Sequence, residues 1–286
     1  MEFTTHLPHP LIAPFIESVF HFKHFQPDHS IERVVPTGHV FIIFELDGKP
    51  RNTFENDSLV PNATYTQVWI SGMHRNYISI SAHPDSEMFV IQFKPDGAYP
   101  FFHFPIAELN EKIVSAEEVL GEDILTLRDE MLVVDTAQAK FALAEQWLMS
   151  RFDQEKLPPN DLQDLVRKIH EDATCSCQEI VHDYPKTQKH LIDLFKRYVG
   201  LTPKYYHRIV RFNEMLQLIQ KNQQIRWAQI AYQCGYADQS HFIREFKHFS
   251  GFNPQEYIQQ GFNEDEPNFF PLDREGVKKL GVKKEE

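Results

Sequence analysis

The sequence predicts an α+β chain: a strand-built N-terminal barrel or sandwich with flanking helices, then an all-helical C-terminal region. Three observations carry this. Short β-rich runs fill the first ~110 residues. The apolar period then changes from that of a strand to that of a helix. Finally, a 20-residue segment recurs 51 residues further on within the helical part. At 286 residues the chain is long enough for two domains, each expected to have its own core. Hydrophobic residues make up 42% and charged residues 24%, the balance of a soluble globular protein. No apolar run approaches the ~18 residues of a membrane helix. The N-terminus lacks the basic start and apolar stretch of a secretory signal. Three cysteines, Cys175, Cys177 and Cys234, are too few for a disulfide framework, so a reducing cytoplasm is expected.

The run His39-Val40-Phe41-Ile42-Ile43-Phe44-Glu45-Leu46 reads as a strand closed by the hairpin signal Asp47-Gly48. Residues 69–72, 77–80 and 88–93 read as further strands, separated by Gly, Pro, Asn and Asp. Residues 114–131 and 136–151 have helical spacing. Leu120, Ile124, Leu127 and Met131 form one apolar stripe, and Phe141, Leu143, Trp147 and Leu148 the other. Both are rich enough to serve an internal core or the pairing of two chains. Residues 153–160, with Pro158-Pro159, read as a linker between a regulatory part (1–152) and a helical part (161–260). The polar stretch 261–286, ending Lys283-Lys284-Glu285-Glu286, is expected to be a loose tail.

The repeat aligns residues 187–206 with 238–257 and matches at eight of twenty positions, among them Phe195/Phe246, Gly200/Gly251, Pro203/Pro254 and Tyr206/Tyr257. Each copy has the parts of a short docked helix. Thr187 and Asp238 are N-caps, whose side-chain oxygens accept free backbone N–H groups. Leu191, Phe195 and Tyr198, like Phe242, Phe246 and Phe249, fall at i, i+4 and i+7 and form one buried stripe. Gly200 and Gly251 suit a left-handed C-terminal turn, and the prolines suit the first turn of the next helix. Ahead of the second copy, Ala231 and Gly235 provide a close helix crossing and a tight turn, the mechanics of a helix-turn-helix. In the first copy Ile180 and Tyr184 take those places, which leaves its turn less well specified.

Charge is unevenly distributed. The net −12 lies in residues 1–160, which hold 11 Lys and Arg against 23 Asp and Glu, whereas residues 161–260 hold 13 against 11. Residues 186–211 carry seven basic groups and one acid, Asp193, a local field suited to phosphate. Lys189, Ile192, Asp193 and Lys196 point away from the buried stripe in the first copy, and Ser240, Ile243, Arg244 and Lys247 in the second. Short polar and basic groups on such a face suit base edges and phosphates. The expected DNA-facing set is Lys189, His190, Lys196, Arg197, Arg208, Gln239, Ser240, Arg244 and Lys247.

The pattern Ala231-x-x-x-Gly235-Tyr236-x-Asp238-x-Ser240-x-Phe242-x-Arg244-x-Phe246-Lys247-x-x-x-Gly251-x-x-Pro254-x-x-Tyr257 resembles the signature of the AraC-type (AraC/XylS) transcription regulators. The resemblance extends back through residues 187–203 and the helix bearing Arg211-Phe212, about 90 residues in all. It implies two helix-turn-helix units joined by a long helix at about residues 203–219, reading two successive major-groove segments. Pro36-Thr37-Gly38-His39 and Phe93-Lys94-Pro95-Asp96-Gly97 resemble, more weakly, the N-terminal domain of one branch of that family. Such domains sense a small molecule in a cupin-like barrel or pair two chains.

Glu45, Trp69 and Arg75 lie on or beside strand-like runs and are the candidate effector-contacting residues. Nine of the 15 histidines fall in the N-terminal part, yet it contains no His-x-His, and His21 and His24 would face opposite ways in a strand, so no metal is expected. Cys175-Ser176-Cys177 lacks partners at zinc spacing, and no cofactor is expected. The partners implied are double-stranded DNA, a small-molecule effector, RNA polymerase and a second copy of the chain. The alternative, a DNA-binding head fused to an enzymatic or pure interaction domain, stays open at this point.

Overall fold

The structure is a computed structural model that describes residues 1–174, 181, 184–221, 226–262 and 267–274. Two antiparallel sheets form the N-terminal part. The first has the order β1 (Glu2–His6), β2 (Ile16–Phe25), β9 (Ser86–Phe93), β4 (Phe41–Glu45), β7 (Val68–Ser71) and β10 (Ile113–Ser115). The second has the order β11 (Phe269–Pro271), β3 (Ile31–Val34), β8 (Ile78–Ser81), β5 (Arg51–Phe54) and β6 (Pro61–Tyr65).

Alternation divides the central strands between two environments. Ile42, Phe44, Ile70, Phe89 and Ile91 belong to the main core together with Ile124, Leu127, Met131, Phe141 and Leu148. Ile43, Trp69 and Val90 point the other way, into the space between the sheets, with Phe20, Phe41, Tyr65 and Met88 around them.

The helical spacing over residues 114–131 resolves into three elements: the end strand β10, α2 (Ala116–Leu120) and α3 (Asp123–Val133), after α1 (Tyr99–Phe102). Gly121, at φ +91°, breaks the helix between α2 and α3. Helix α4 (Ala137–Arg151) begins where expected, with Thr136 Oγ1 accepting the Ala139 N–H at 3.2 Å. Its stripe and that of α3 are consumed by the main core, so neither remains as a surface for pairing two chains.

The helical part contains α5 (Asn160–Glu171), α6 (Gln188–Tyr198), α7 (Pro203–Lys221), α8 (Trp227–Gln233), α9 (Gln239–Ser250) and α10 (Pro254–Gln259). Cys175, Cys177 and Ile180 lie outside the described residues, as do residues 275–286.

Two expectations are corrected. The two parts do not have separate cores, because one contiguous buried cluster runs from Ile12 to Leu272. Nor is the stretch after Gly261 loose where it is described. Phe262 and Phe270 stack at 5.4 Å and are fully buried, with Phe270 5.2 Å from Tyr257. β11 then pairs antiparallel with β3, matching Phe270 to Arg33. The apolar sequence Phe269-Phe270-Pro271-Leu272 explains this. It supplies side chains that bury beside the last helix and a backbone that fills an open sheet edge.

Candidate nucleic-acid interface

Both copies of the repeat fold as their sequence dictates. Thr187 Oγ1 accepts the His190 N–H at 3.2 Å and Asp238 Oδ1 accepts the His241 N–H at 2.7 Å, closing the N-termini of α6 and α9. Those backbone bonds hold the Asp238 carboxyl below the usual carboxylate range. Gly200 and Gly251 adopt φ +93° and +78°. Asn253 and Glu256 make a reciprocal capping box at the start of α10. Leu191, Phe195 and Tyr198 are buried, as are Phe242, Phe246 and Phe249. Phe212 of α7 meets Phe249 at 5.0 Å and Phe246 at 5.8 Å, so the joining helix is the spine on which the second unit packs.

The faces left outward are polar. On α6, Gln188, Lys189, Asp193, Lys196 and Arg197 are exposed; on α9, Gln239, Ser240, Arg244 and Lys247 are exposed. Seven of the nine predicted contacts therefore sit on open helix surface. His190 does not: its Nδ1 is 2.7 Å from the Tyr184 hydroxyl and the two rings stack, which turns the imidazole inward.

Arg208 is also redirected. Its Nε donates to Glu245 Oε2 at 3.0 Å, and its guanidinium lies over the Tyr205 and Phe249 rings at 4.7 and 5.2 Å. Arg211 Nη2 donates to the other oxygen of Glu245 at 2.7 Å, and the Tyr236 hydroxyl donates to it at 3.1 Å. Burial opposes charge on Glu245, but the Arg211 and Arg208 guanidiniums overcome it and hold the carboxyl below its ordinary value. This cluster locks α9 to α7 and fixes the angle between the outward faces. The sequence signal was available: Glu245 is an acid inside the apolar stripe Phe242–Phe246–Phe249.

The three candidate effector residues do not converge. Glu45 and Trp69 do meet: Trp69 Nε1–H donates to Glu45 Oε1 at 2.8 Å. Arg51 Nε donates to Oε2 at 2.7 Å, and Arg51 Nη2 donates to Asp47 at 2.6 Å. Glu45 is fully buried, and burial pushes its carboxyl up to about 7 against the pull of Arg51 and Trp69. The cavity beside this cluster measures about 30 Å³, room for a few waters at most. Arg75 lies elsewhere, against the helical part. Its carbonyl accepts the Tyr205 hydroxyl at 3.0 Å and its guanidinium is 5.5 Å from that ring.

One residue at this junction gave no sequence signal. Arg33 of β3 is 5% exposed and donates to the Ser250 carbonyl and the Asn56 carbonyl, each at 3.2 Å. Its guanidinium stacks 3.9 Å from the Tyr77 ring and 4.8 Å from Phe252. Gly251 rests against this stack: a Cβ there would fall 2.2 Å from Arg33 Nη1 and 2.9 Å from Tyr77. The C-terminal end of α9 is thereby fastened to the strand domain.

Comparison with known proteins gives two domain matches. Residues 185–260 match a helix-turn-helix domain, and residues 4–115 match a domain of unknown function, DUF6597. The chain is 25% identical over 188 residues to the uncharacterized HTH-type transcriptional regulator YbfI of Bacillus subtilis (strain 168). That match covers 63% of this chain and 66% of the relative's length. Among solved structures, an apo form of ToxT from Vibrio cholerae strain SCE256 is 16% identical with a TM-score of 0.43, covering 84% of this chain and 96% of that one. Unsaturated fatty acid bound wild-type ToxT from the same strain is 17% identical, also at 0.43, covering 85% and 95%. The helix-turn-helix match at residues 185–260 falls on the joining helix and both copies of the repeat.

Proposed function

We propose that the protein is a sequence-specific DNA-binding transcription regulator of the AraC type, whose DNA affinity is set by a small molecule sensed in the strand domain. The carrying observation is the duplicated unit. Two capped helices of matching sequence, α6 and α9, present exposed polar and basic faces and are tied through one joining helix. Such a pair suits two major-groove segments about one turn apart, roughly 34 Å. Lys189, Lys196 and Arg197 serve the first segment, and Gln239, Ser240, Arg244 and Lys247 the second. Small-molecule control is supported by the direct contacts between strand domain and head at Arg33–Ser250 and Arg75–Tyr205. On this reading the protein is a regulator, not an enzyme. It works in the cytoplasm, with RNA polymerase and a second copy of the chain as further partners. Among the described residues, no helix is long and apolar enough to cross a membrane.

The test is a binding selection on randomised duplexes with the full chain, read at several salt concentrations. Affinity should fall steeply with salt as Lys and Arg displace condensed counterions. Arg244→Ala should cost about 1–3 kcal/mol on the selected site and relax preference at one or two adjacent base pairs. Lys247→Ala should weaken all sequences alike. A folded chain with no salt-dependent affinity for any duplex refutes the proposal. Retention of wild-type preference by Arg244→Ala, with its loss in Lys189→Ala, places the specificity in the other helix.

A further inference from the structure

We infer that the cleft walled by β5, β6 and β8 in the strand domain is a binding site for a small organic cation. The inference rests on the reading of small-molecule control above and supplies the site and ligand class for it. The cleft measures about 460 Å³, within the ~300–1,000 Å³ usual for ligand pockets. The space beside Glu45 and Trp69, in contrast, measures about 30 Å³, too small for an organic ligand.

Charge selects the ligand class. Glu55 and Glu111 both line the cleft. Glu55 receives one long contact from Asn62 Nδ2 at 3.4 Å, and Glu111 accepts the Arg75 backbone N–H at 2.5 Å. Among the described residues neither carboxylate has a cationic side chain at ion-pair distance. Burial pushes the Glu111 carboxyl up, against weaker pulls from the backbone N–H and the charge of Arg75. The one basic side chain in the lining, His74, is held neutral, since burial lowers its imidazole to about 4 and its Nε2 pairs with Ser71 Oγ at 3.1 Å.

Aromatic faces complete the chemistry. Phe54, Tyr65 and Tyr77 line the same space, and an aromatic ring attracts a cation over its face. Tyr77 already engages one cation in this way, the Arg33 guanidinium at 3.9 Å. An anion would meet two carboxylates with no cation at ion-pair distance, and a neutral polyol would supply none. A primary or quaternary amine answers both features.

The site is wired to the head. Asn56 and Tyr77, both in the wall, hold the guanidinium that grips the Ser250 carbonyl at the end of α9. Glu111 fixes the backbone of Arg75, whose carbonyl accepts the Tyr205 hydroxyl of α7. A cation drawing Glu111 and Tyr77 toward itself acts on both contacts at once. DNA affinity should therefore change on binding, by a factor in the range of about 5–150.

The experiment uses the full chain with putrescine, agmatine and choline, and with butyrate and erythritol as anionic and neutral counterparts. Thermal shift and titration calorimetry report binding, and affinity for the selected duplex reports coupling. We expect at least one cation to bind saturably, and Glu55→Gln and Glu111→Gln each to weaken it roughly tenfold or more. Glu130→Gln, on the exposed side of α3, should leave it unchanged. The site is overturned if none of the three cations binds at about 10 mM, or if binding survives both glutamine variants. If butyrate or erythritol instead stabilises the chain and alters DNA affinity, the cation site falls while small-molecule control stands. If a cation binds through Glu55 and Glu111 but duplex affinity is constant, the site stands and that control falls.

Discussion

Replacing Glu245 by Ala removes the acceptor on which Arg208, Arg211 and Tyr236 converge, and the structure fixes how much that should cost. The carboxylate is 4% exposed and takes three donors, at 3.0, 2.7 and 3.1 Å. Breaking a buried ion pair by deleting one partner costs about 3–5 kcal/mol, because the remaining charge is stranded. Here the two cations differ. Arg208 is 28% exposed and lies over the Tyr205 and Phe249 rings, so it can turn toward water at small cost. Arg211 is 13% exposed, with a buried Nε that already lacks a partner, so its charge has nowhere to go. The expected loss is therefore near the lower end, about 3 kcal/mol. At roughly 2–4 °C per kcal/mol for a chain of this size, the melting point should drop by about 6–12 °C. Glu245→Gln keeps the shape and two acceptable hydrogen bonds and should lose about half as much. Tyr236→Phe should lose about 1–2 kcal/mol. Because Arg211 holds the carboxyl below its ordinary value, this stabilisation is present above about pH 4.5 and lost as pH falls through the lowered value. Calorimetry of the three variants is the assay. If Glu245→Ala melts within 2 °C of the wild type, the cluster is not what holds α9 to α7, and the argument fails.

Two further outcomes follow from the same structure. Phe270→Ala empties a fully buried site packed against Phe252, Tyr257 and Phe262 and should cost about 3–5 kcal/mol by urea titration, whereas a loose tail would make it neutral. Two buried groups should tilt the pH profile in opposite directions. His74 is lowered to about 4, so the unfolded chain binds the extra proton and stability is lost as pH falls from 6.5. Glu45 is raised to about 7, so the folded chain binds it and stability is gained as pH falls from 7 toward 4.5. Each amounts to at most about 3 kcal/mol. Glu45→Gln should steepen the acid loss and His74→Gln should lessen it, measured as urea midpoints between pH 7 and 5; equal slopes in the two variants would contradict the assignment.

Whatever depended on local chemistry was legible in the sequence. Thr187 and Asp238 cap helices because a side-chain oxygen beside free N–H groups does so in most settings. The stripes of α6 and α9 are buried because a 3.6-residue period leaves one face for packing. Other features depended on what the third dimension brings together. Arg208 carries the same charge as Lys196, and only the position of Glu245 on a neighbouring helix turns it inward. His190 looks like a surface histidine until Tyr184 is found 2.7 Å away. Gly121 between two helical runs was a local signal that periodicity alone passed over.

The packed tail and the shared core have one cause. Period counting asks which face of an element is apolar, and that faces of two parts fuse into one cluster is invisible to it. A Cβ at Gly38 would crowd the Tyr206 ring, one at Gly200 would crowd Asn110 and Ile106, and one at Gly251 would run into Arg33, each a residue from the other part of the chain. In the repeat alone, Gly200 and Gly251 need be no more than helix stops. In the fold they are also the places where the strand domain approaches the head too closely for a side chain. That double use has a thermodynamic consequence. A contact shared by both parts must be remade or lost whenever either part moves, so a ligand acting through it and DNA would change each other's affinity by the same factor. Arg33 has no acid partner at ion-pair distance among the described residues and is held by two carbonyls and two rings. An attachment made of neutral acceptors gives up less on separation than a buried ion pair, which strands a charge when it opens. This junction is therefore the weaker of the two fastenings on α9, and the Glu245 cluster the stronger. Motion that begins in the strand domain should release the head as a unit, with the angle between its two outward faces intact.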